Sequence, residues 1–417
     1  MEQKITPKQV KGCLQVPPSK SMGHRLLICA GLAHGTSVIR NIQHSKDMEA
    51  TMDCLKSLGA KIEGDYPDFT ITGTSPKERK AEAVLNCQES GSTIRFMLPV
   101  AALSSQEAVL TGKGRLLSRP MDVYVDIFEE QGLMFEQSSE AIKVRGPLQG
   151  GEFTVPGNVS SQFISGLLLA GPFFEEGVQI AVLPPYESRS YVDMTVDAMR
   201  QFGVLVSVPT ENGYIVSPAR YKCTNATVEG DFSQAAFMAV LAAIKGEITL
   251  TGLNPSSLQS DRVIFNILKK CGAEIVWNKN SVTVRKSRLT PIHVDLSDCP
   301  DLGPVLCVLA AYIPGRSVID HCRRLRLKES DRIEAMEREL HKWGVNMTST
   351  EDTITIEGKE AYKAEDVVSI SSHNDHRIAM AMAVFGTCAQ SDSVIMDAQA
   401  VTKSWPGFFE DLKEVTA

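Results

Sequence analysis

The chain has 417 residues, 43% of them hydrophobic and 22% charged, and a formal net charge of -7. That length exceeds what a single core usually fills, so two domains are expected, and the ordinary composition excludes a disordered or fibrous chain. The acidic balance excludes a general nucleic-acid binder, whose footprint would be basic, while leaving room for a small anionic substrate held by a few Lys and Arg.

The opening residues, MEQKITPKQV, show no apolar leader. The longest apolar run, FISGLLLAGPFF, is far short of a membrane span. Ten cysteines are scattered without a CxxC pair or a His at zinc spacing, several of them in apolar stretches such as LLICAGLA. Reduced core thiols in a cytoplasmic protein are therefore expected.

After Pro17-Pro18 the first element is a helix over HRLLICAGLAHG, then a strand at SVIRNI and a second helix, DMEATMDCLKSLG, that stops at Gly59. The pattern then recurs. The next helix covers TIRFMLPVAALS, its strand is AVLTG, and the helix after it stops at Gly132 in FEEQGLMFEQ. QFISGLLLAGPF, VQIAVL and MRQFGVLVSV carry the pattern to Gly203, and QAAFMAVLAAIKG, EITLTG and LKKCGAEIVW to Gly272. GPVLCVLAAYIPG, SVIDH and SDRIEAMERELHKWG carry it to Gly344, and HRIAMAMAVFGTC opens a sixth copy that closes near FFEDLKEV. The period is about 70 residues, the mark of a repeat architecture. Each glycine reads as the left-handed residue that ends a helix before a strand.

The first helix of each copy is apolar on nearly every side and is expected to be buried, whereas the second is amphipathic and belongs outside. The fold class is therefore α/β, with six pseudo-symmetric repeats, three per domain, around buried inner helices. Turn-formers at Pro17-Pro18 and Gly230 mark the crossings. Residues 19–229 would form an inserted lobe of repeats 1–3. Residues 1–18 with 230–417 would form the second lobe, repeats 4–6, and two crossings side by side would make a hinge.

Chemistry is expected at the starts of the inner helices. These read PSKSMGHR, ESGSTIR, NVSSQF, EGDFSQ, CPDLGP and HNDHR. Plain capping needs one Ser, Asn or Asp and contributes about 1 kcal/mol. Here Ser, Gly, Lys, Arg and His crowd together, most clearly in the first, second and sixth copies. Helix N-termini offer free N–H groups and partial positive charge, so converging tips would suit a polyanion. No GxxxxGK[ST] loop and no GxSxG elbow occurs, which gives no support to a P-loop kinase or a serine hydrolase. HNDHR contains two His near an Asp, but no further metal ligand is evident. In RLRLKESDR, Lys328, Glu329 and Arg332 fit a solvated basic turn and an acid/base cluster equally well.

PPSKSMGHR, SGSTIRF, TGKGRLLSRP, VSSQF, LKESDR, NDHR and TKSWPGF, in this order and spacing, resemble the motifs of the EPSP synthase (3-phosphoshikimate 1-carboxyvinyltransferase) family over essentially the whole chain. The resemblance implies a two-domain inside-out α/β barrel that binds shikimate-3-phosphate and phosphoenolpyruvate between lobes which close on them. It implies no metal or organic cofactor, no nucleic-acid or membrane partner, and a monomer. Ser160, Ser161 and Ser188 would hold the shikimate phosphate, with Gln162 and Tyr191 alongside. Lys20, Ser21, Arg25, Asp301 and Lys328 would contact the rest of that substrate. Lys20, Gly91, Arg115, Gln162, Arg332, Arg377 and Lys403 would surround phosphoenolpyruvate. Asp301 would deprotonate the 5-hydroxyl, and Glu329, aided by Lys20, would exchange a proton with the enol methylene.

Two stretches depart from the family pattern. Many relatives have Asn-Ala-Gly-Thr where this chain has Glu89-Ser90-Gly91-Ser92, and Arg324 stands where some use Asn, so neither Glu89 nor Arg324 inherits a contact. The sister UDP-N-acetylglucosamine enolpyruvyl transferases normally carry a Cys in the stretch matching Gly112 to Pro120, which has none here. A non-catalytic phosphometabolite-binding protein would be expected to lose Asp301, Lys328 and Glu329, all present.

Overall fold

The computed structural model describes residues 1–416. The chain divides into two compact units, Pro18–Val228 and Met1–Pro17 with Glu229–Ala417. In the first unit three inner helices, α1 (Lys20–Leu32), α3 (Gly91–Ala101) and α5 (Ser161–Ala170), alternate with outer helices α2 (Lys46–Ser57), α4 (Asp122–Glu130) and α6 (Arg189–Gln201). In the second unit the inner helices are α7 (Phe232–Lys245), α9 (Gly303–Ala311) and α11 (His376–Cys388), and the outer ones α8 (Val263–Lys270), α10 (Arg332–His341) and α12 (Phe408–Glu414).

The all-apolar composition of the inner helices is answered by burial. Every residue of α9 and of α11 is buried, as is the run Phe232 to Ala243 of α7. Each unit has its own hydrophobic core. Small residues let the elements come close: a Cβ on Gly166 of α5 would lie 2.5 Å from the Arg95 carbonyl of α3. The five repeat glycines all take positive φ, from 64° at Gly132 to 106° at Gly59. The six expected α/β repeats, with their inner helices buried, are present.

In the second, third and fifth repeats the sheet joins the strand before the inner helix, in parallel, to the strand after it, and an antiparallel hairpin follows. In the third repeat, Gly151–Pro156 runs parallel to Val178–Leu183, which pairs antiparallel with Gly213–Val216. Along Val178–Leu183 alternate residues point inward, with Val178, Ile180 and Val182 buried.

Two strands change places. The strand before α1, Lys11–Gln15, does not join the first repeat but pairs with Glu247–Thr251 of the fourth. The strand before α7, Asn225–Thr227, pairs instead with Thr36–Arg40 of the first. The chain therefore passes from one unit to the other directly after each of these strands. In the sixth repeat Val368–Ser371 lies parallel to Ser393–Met396, and the third strand is Gln3–Ile5. Among the described residues no helix is long and apolar enough to cross a membrane.

Candidate active site

In the unit Pro18–Val228, the polar tips of α1, α3 and α5 carry the expected binding residues. Ser19, Ser90 and Ser160 are the N-caps, each side chain accepting a backbone N–H two or three residues on. Ser161 is the first residue of α5, and Ser21 is in the first turn of α1. Lys20 Nζ meets Asp47 Oδ2 of α2 at 2.8 Å. Asp47, which the sequence did not single out, lies two residues into an ordinary capped helix.

Arg25 is 2% exposed. Its Nε donates to Thr195 Oγ1, Nη1 to the Ser21 carbonyl and Nη2 to the Tyr191 carbonyl, all at 2.7 Å. Burial pulls its pKa down to about 10. Ser188, the N-cap of α6, is held in the left-handed region at φ 56° and is buried. A non-glycine residue in that region costs free energy and is common at binding sites.

The tips of α3 and α5 are cross-linked by side chains. Arg95 Nη1 donates to Gln162 Oε1 at 2.8 Å, and Gln162 Nε2 donates to Ser92 Oγ at 2.9 Å. A Cβ on Gly91 would come within 2.5 Å of Arg119 Nη1, so a side chain there would displace the Arg119 guanidinium. Arg115 lies on an exposed loop, and among the described residues no hydrogen bond ties its guanidinium to the others.

The other unit brings Asp301, Lys328, Glu329, Arg332 and Arg377 together. Asp301 sits in a single turn, Pro300–Leu302, just before α9. Its Oδ1 lies 3.2 Å from Arg332 Nη1 and 3.5 Å from Lys328 Nζ, and its Oδ2 is 2.9 Å from Arg377 Nη2. Arg332, 2% exposed, also donates to Glu329 Oε2 at 2.7 Å and to Asp375 Oδ2 at 2.9 Å. The cluster is thus no solvated turn: one guanidinium serves three carboxylates. Asp375, fully buried, caps α11 through the Arg377 N–H. Lys403 Nζ donates to the Asn374 carbonyl at 2.5 Å.

Burial alone would raise the pKa of Asp301, but Arg377, Lys328 and Arg332 outweigh it and hold the carboxyl far below its ordinary range. Lys328 is shifted downward, by burial first, against the pull of Asp301. Arg332 is raised because Asp375, Glu329 and Asp301 outweigh its burial. As it stands, Asp301 is a weak base.

Asp261 was not legible in the sequence. It accepts from Ser233 Oγ on α7 and is 1% exposed. Burial first, and then the Asp301 carboxylate, push its pKa up to about 7 against Arg377 and the Ser233 hydroxyl. The folded protein therefore holds this proton across a pH range, from about 4 to 7, in which an unfolded Asp has lost it, so Asp261 lowers stability as pH rises. Asp261→Asn keeps an acceptor for Ser233 and does not titrate. Its melting temperature is expected to pull ahead of the parent's by several degrees between about pH 5 and pH 7.5. A gap independent of pH would refute the assignment.

The model of the EPSP synthase (3-phosphoshikimate 1-carboxyvinyltransferase) family matches residues 5–412. The chain is 42% identical over 414 residues to the 3-phosphoshikimate 1-carboxyvinyltransferase of Clostridium kluyveri, covering 99% of this chain and 96% of that protein. It is 41% identical to the protein of that name from Clostridium acetobutylicum, with the same coverage. Among solved structures, EPSP synthase from Acinetobacter baumannii superposes with a TM-score of 0.83 at 28% identity, covering all of this chain and 98% of that one. The enolpyruvyl transferase NikO from Streptomyces tendae, 14% identical with a TM-score of 0.79 over 99% of this chain and 96% of that one, shares the fold. With the family model running almost end to end and these identities spanning the same length, the chain belongs to the EPSP synthase (3-phosphoshikimate 1-carboxyvinyltransferase) family.

Proposed function

We propose that this chain transfers the enolpyruvyl (carboxyvinyl) group of phosphoenolpyruvate to the 5-hydroxyl of shikimate-3-phosphate, giving EPSP and phosphate through a tetrahedral intermediate, on the chorismate branch of aromatic amino acid biosynthesis. The observation that carries this reading is the carboxylate of Asp301 among Arg377, Arg332 and Lys328, with Glu329 on the same guanidinium. It supplies a proton acceptor, a second carboxyl and cations for a polyanion in one place.

Ser160, Ser161 and Ser188 hold the shikimate phosphate, with Gln162 and Tyr191 beside it, and Lys20, Ser21, Arg25 and Lys328 contact the rest of that substrate. Gly91 N–H, Arg115, Arg332, Arg377, Lys403 and Lys20 take the carboxylate and phosphate of phosphoenolpyruvate, with Gln162 at the side. Once those anions neutralise Arg377 and Arg332, Asp301 regains basicity and accepts the proton of the 5-hydroxyl. The oxygen attacks C2 as Glu329, assisted by Lys20, delivers a proton to C3. In the second step C3 returns a proton, the C2–O bond to phosphate breaks, and the double bond re-forms. Both steps exchange protons and C–O bonds without net oxidation, so no redox cofactor takes part. Ten free thiols fit the reducing conditions of the cytoplasm, where the enzyme acts as a monomer.

Phosphate release tests the reading directly. Turnover is expected with shikimate-3-phosphate and phosphoenolpyruvate together, and none when UDP-N-acetylglucosamine replaces the former. Absence of phosphate release with the correct pair would overturn it.

A further inference from the structure

The helix α10 has a charged, amphipathic sequence whose carboxylates belong in water. Glu339 does not comply: it is fully buried. Its Oε1 lies 2.9 Å from His373 Nε2, while Oε2 accepts from Lys342 Nζ at 2.6 Å and from the Ser371 N–H at 3.0 Å. An ionised carboxylate only accepts, so His373 donates from Nε2. Burial would raise the pKa of Glu339, but these three donors outweigh it and leave the group below its ordinary value.

What Glu339 holds is an unusual piece of backbone. His373 and Asn374 are consecutive non-glycine residues in the left-handed region, at φ 51° and 53°. Such a pair persists only where its surroundings over-determine it. The turn is pinned by the His373 N–H on Ser371 Oγ at 3.1 Å and the Asn374 N–H on Ser372 Oγ at 3.2 Å. Glu339 adds the grip on the imidazole. The product of this conformation is the Asn374 carbonyl, which receives Lys403 Nζ, followed by the cap Asp375 and by Arg377.

Arg332 and Glu339 are seven residues apart, two turns along one face of α10. Arg332 grips the segment at Asp375 and Glu339 grips it at His373 and Ser371. We propose that Glu339 is a positioning residue of the phosphoenolpyruvate-binding set, holding the left-handed His373–Asn374 turn and so fixing where Lys403 and Arg377 stand. The proposal rests on the function argued above.

Steady-state kinetics of Glu339→Ala and Glu339→Gln test it, with the parent protein assayed alongside. Displacing groups that position a substrate typically costs about 10- to 100-fold. Glu339→Ala is expected to raise KM for phosphoenolpyruvate by that factor and to leave KM for shikimate-3-phosphate within about threefold. Glu339→Gln should recover most of the loss. Its amide oxygen keeps the Ser371 and Lys342 bonds, and its NH2 can donate to Nε2 of a neutral imidazole.

A folded Glu339→Ala variant with an unchanged phosphoenolpyruvate KM overturns the proposal, as do equal rises in both KM values or a Gln variant as impaired as Ala. If Glu339→Ala does not fold, His373→Ala, at a partly exposed side chain, must show the same selective rise. The Lys403 resonance of reductively methylated protein gives a substrate-free readout: it should shift in the Ala variant and not in the Gln variant. That measurement decides the positioning claim even if the parent shows no turnover, an outcome that would sink the functional reading alone.

Discussion

Asp301→Asn is expected to lower kcat by about two to four orders of magnitude, the span associated with losing a positioned proton acceptor. The substitution keeps the size of the side chain and one acceptor oxygen for Arg377 or Arg332, so the site's packing should survive. It removes the group to which the 5-hydroxyl proton is assigned. It also removes a negative charge that, on the proposed assignment, competes with phosphoenolpyruvate for Arg377 and Arg332. KM for phosphoenolpyruvate should therefore stay level or fall while kcat collapses. Parent-like turnover would remove Asp301 from the base role, and so would a loss carried wholly by KM.

Arg332→Ala should cause the largest loss of stability of any single change in this cluster. The guanidinium is 2% exposed and donates to Asp301, Glu329 and Asp375, whose own carboxylate is fully buried. Removing one partner from buried ion pairs leaves uncompensated charge and typically costs about 3–5 kcal/mol. Lys offers a point charge rather than a fork and should not replace it, because the three acceptors lie in different directions. The midpoint of urea unfolding measures the effect, and a loss below about 1 kcal/mol would mean the carboxylates find other partners. The pH dependence carries a second signature. Asp301 and Asp375 have depressed pKa values in the fold, so they contribute stability above the unfolded value, near 4, and lose it as the pH falls. Arg332→Ala should flatten that acid-side decline.

The repeat pattern was legible because it is local. An inner helix such as GPVLCVLAAYIPG declares its burial by having no polar side, and the Gly at each outer helix end declares the turn that follows it. Ser19, Ser90 and Ser160 announced themselves as caps by type and place, and each caps its helix through its side chain. Lys328, Glu329 and Arg332 were visible as a charged group, but sequence could not separate a solvated turn from a buried network. Both spell the same residues. The distinction lies in Asp375, 43 residues from Arg332, and in Asp301, 31 residues before it.

Periodicity, composition and glycine placement, read along the chain, determined that the protein consists of repeated α/β units with buried inner helices and polar tips, because each of these signals acts over one or two turns. Tertiary structure alone decided which strand completes which sheet: Lys11–Gln15 and Asn225–Thr227 look like their counterparts in other repeats, and only pairing with distant partners puts the first in the fourth repeat's sheet and the second in the first's. It alone decided the fate of Glu339 and Asp261 too. A carboxylate on an amphipathic stretch has the same spelling whether water or a buried donor receives it, and the free energy that distinguishes the two comes from atoms far along the chain.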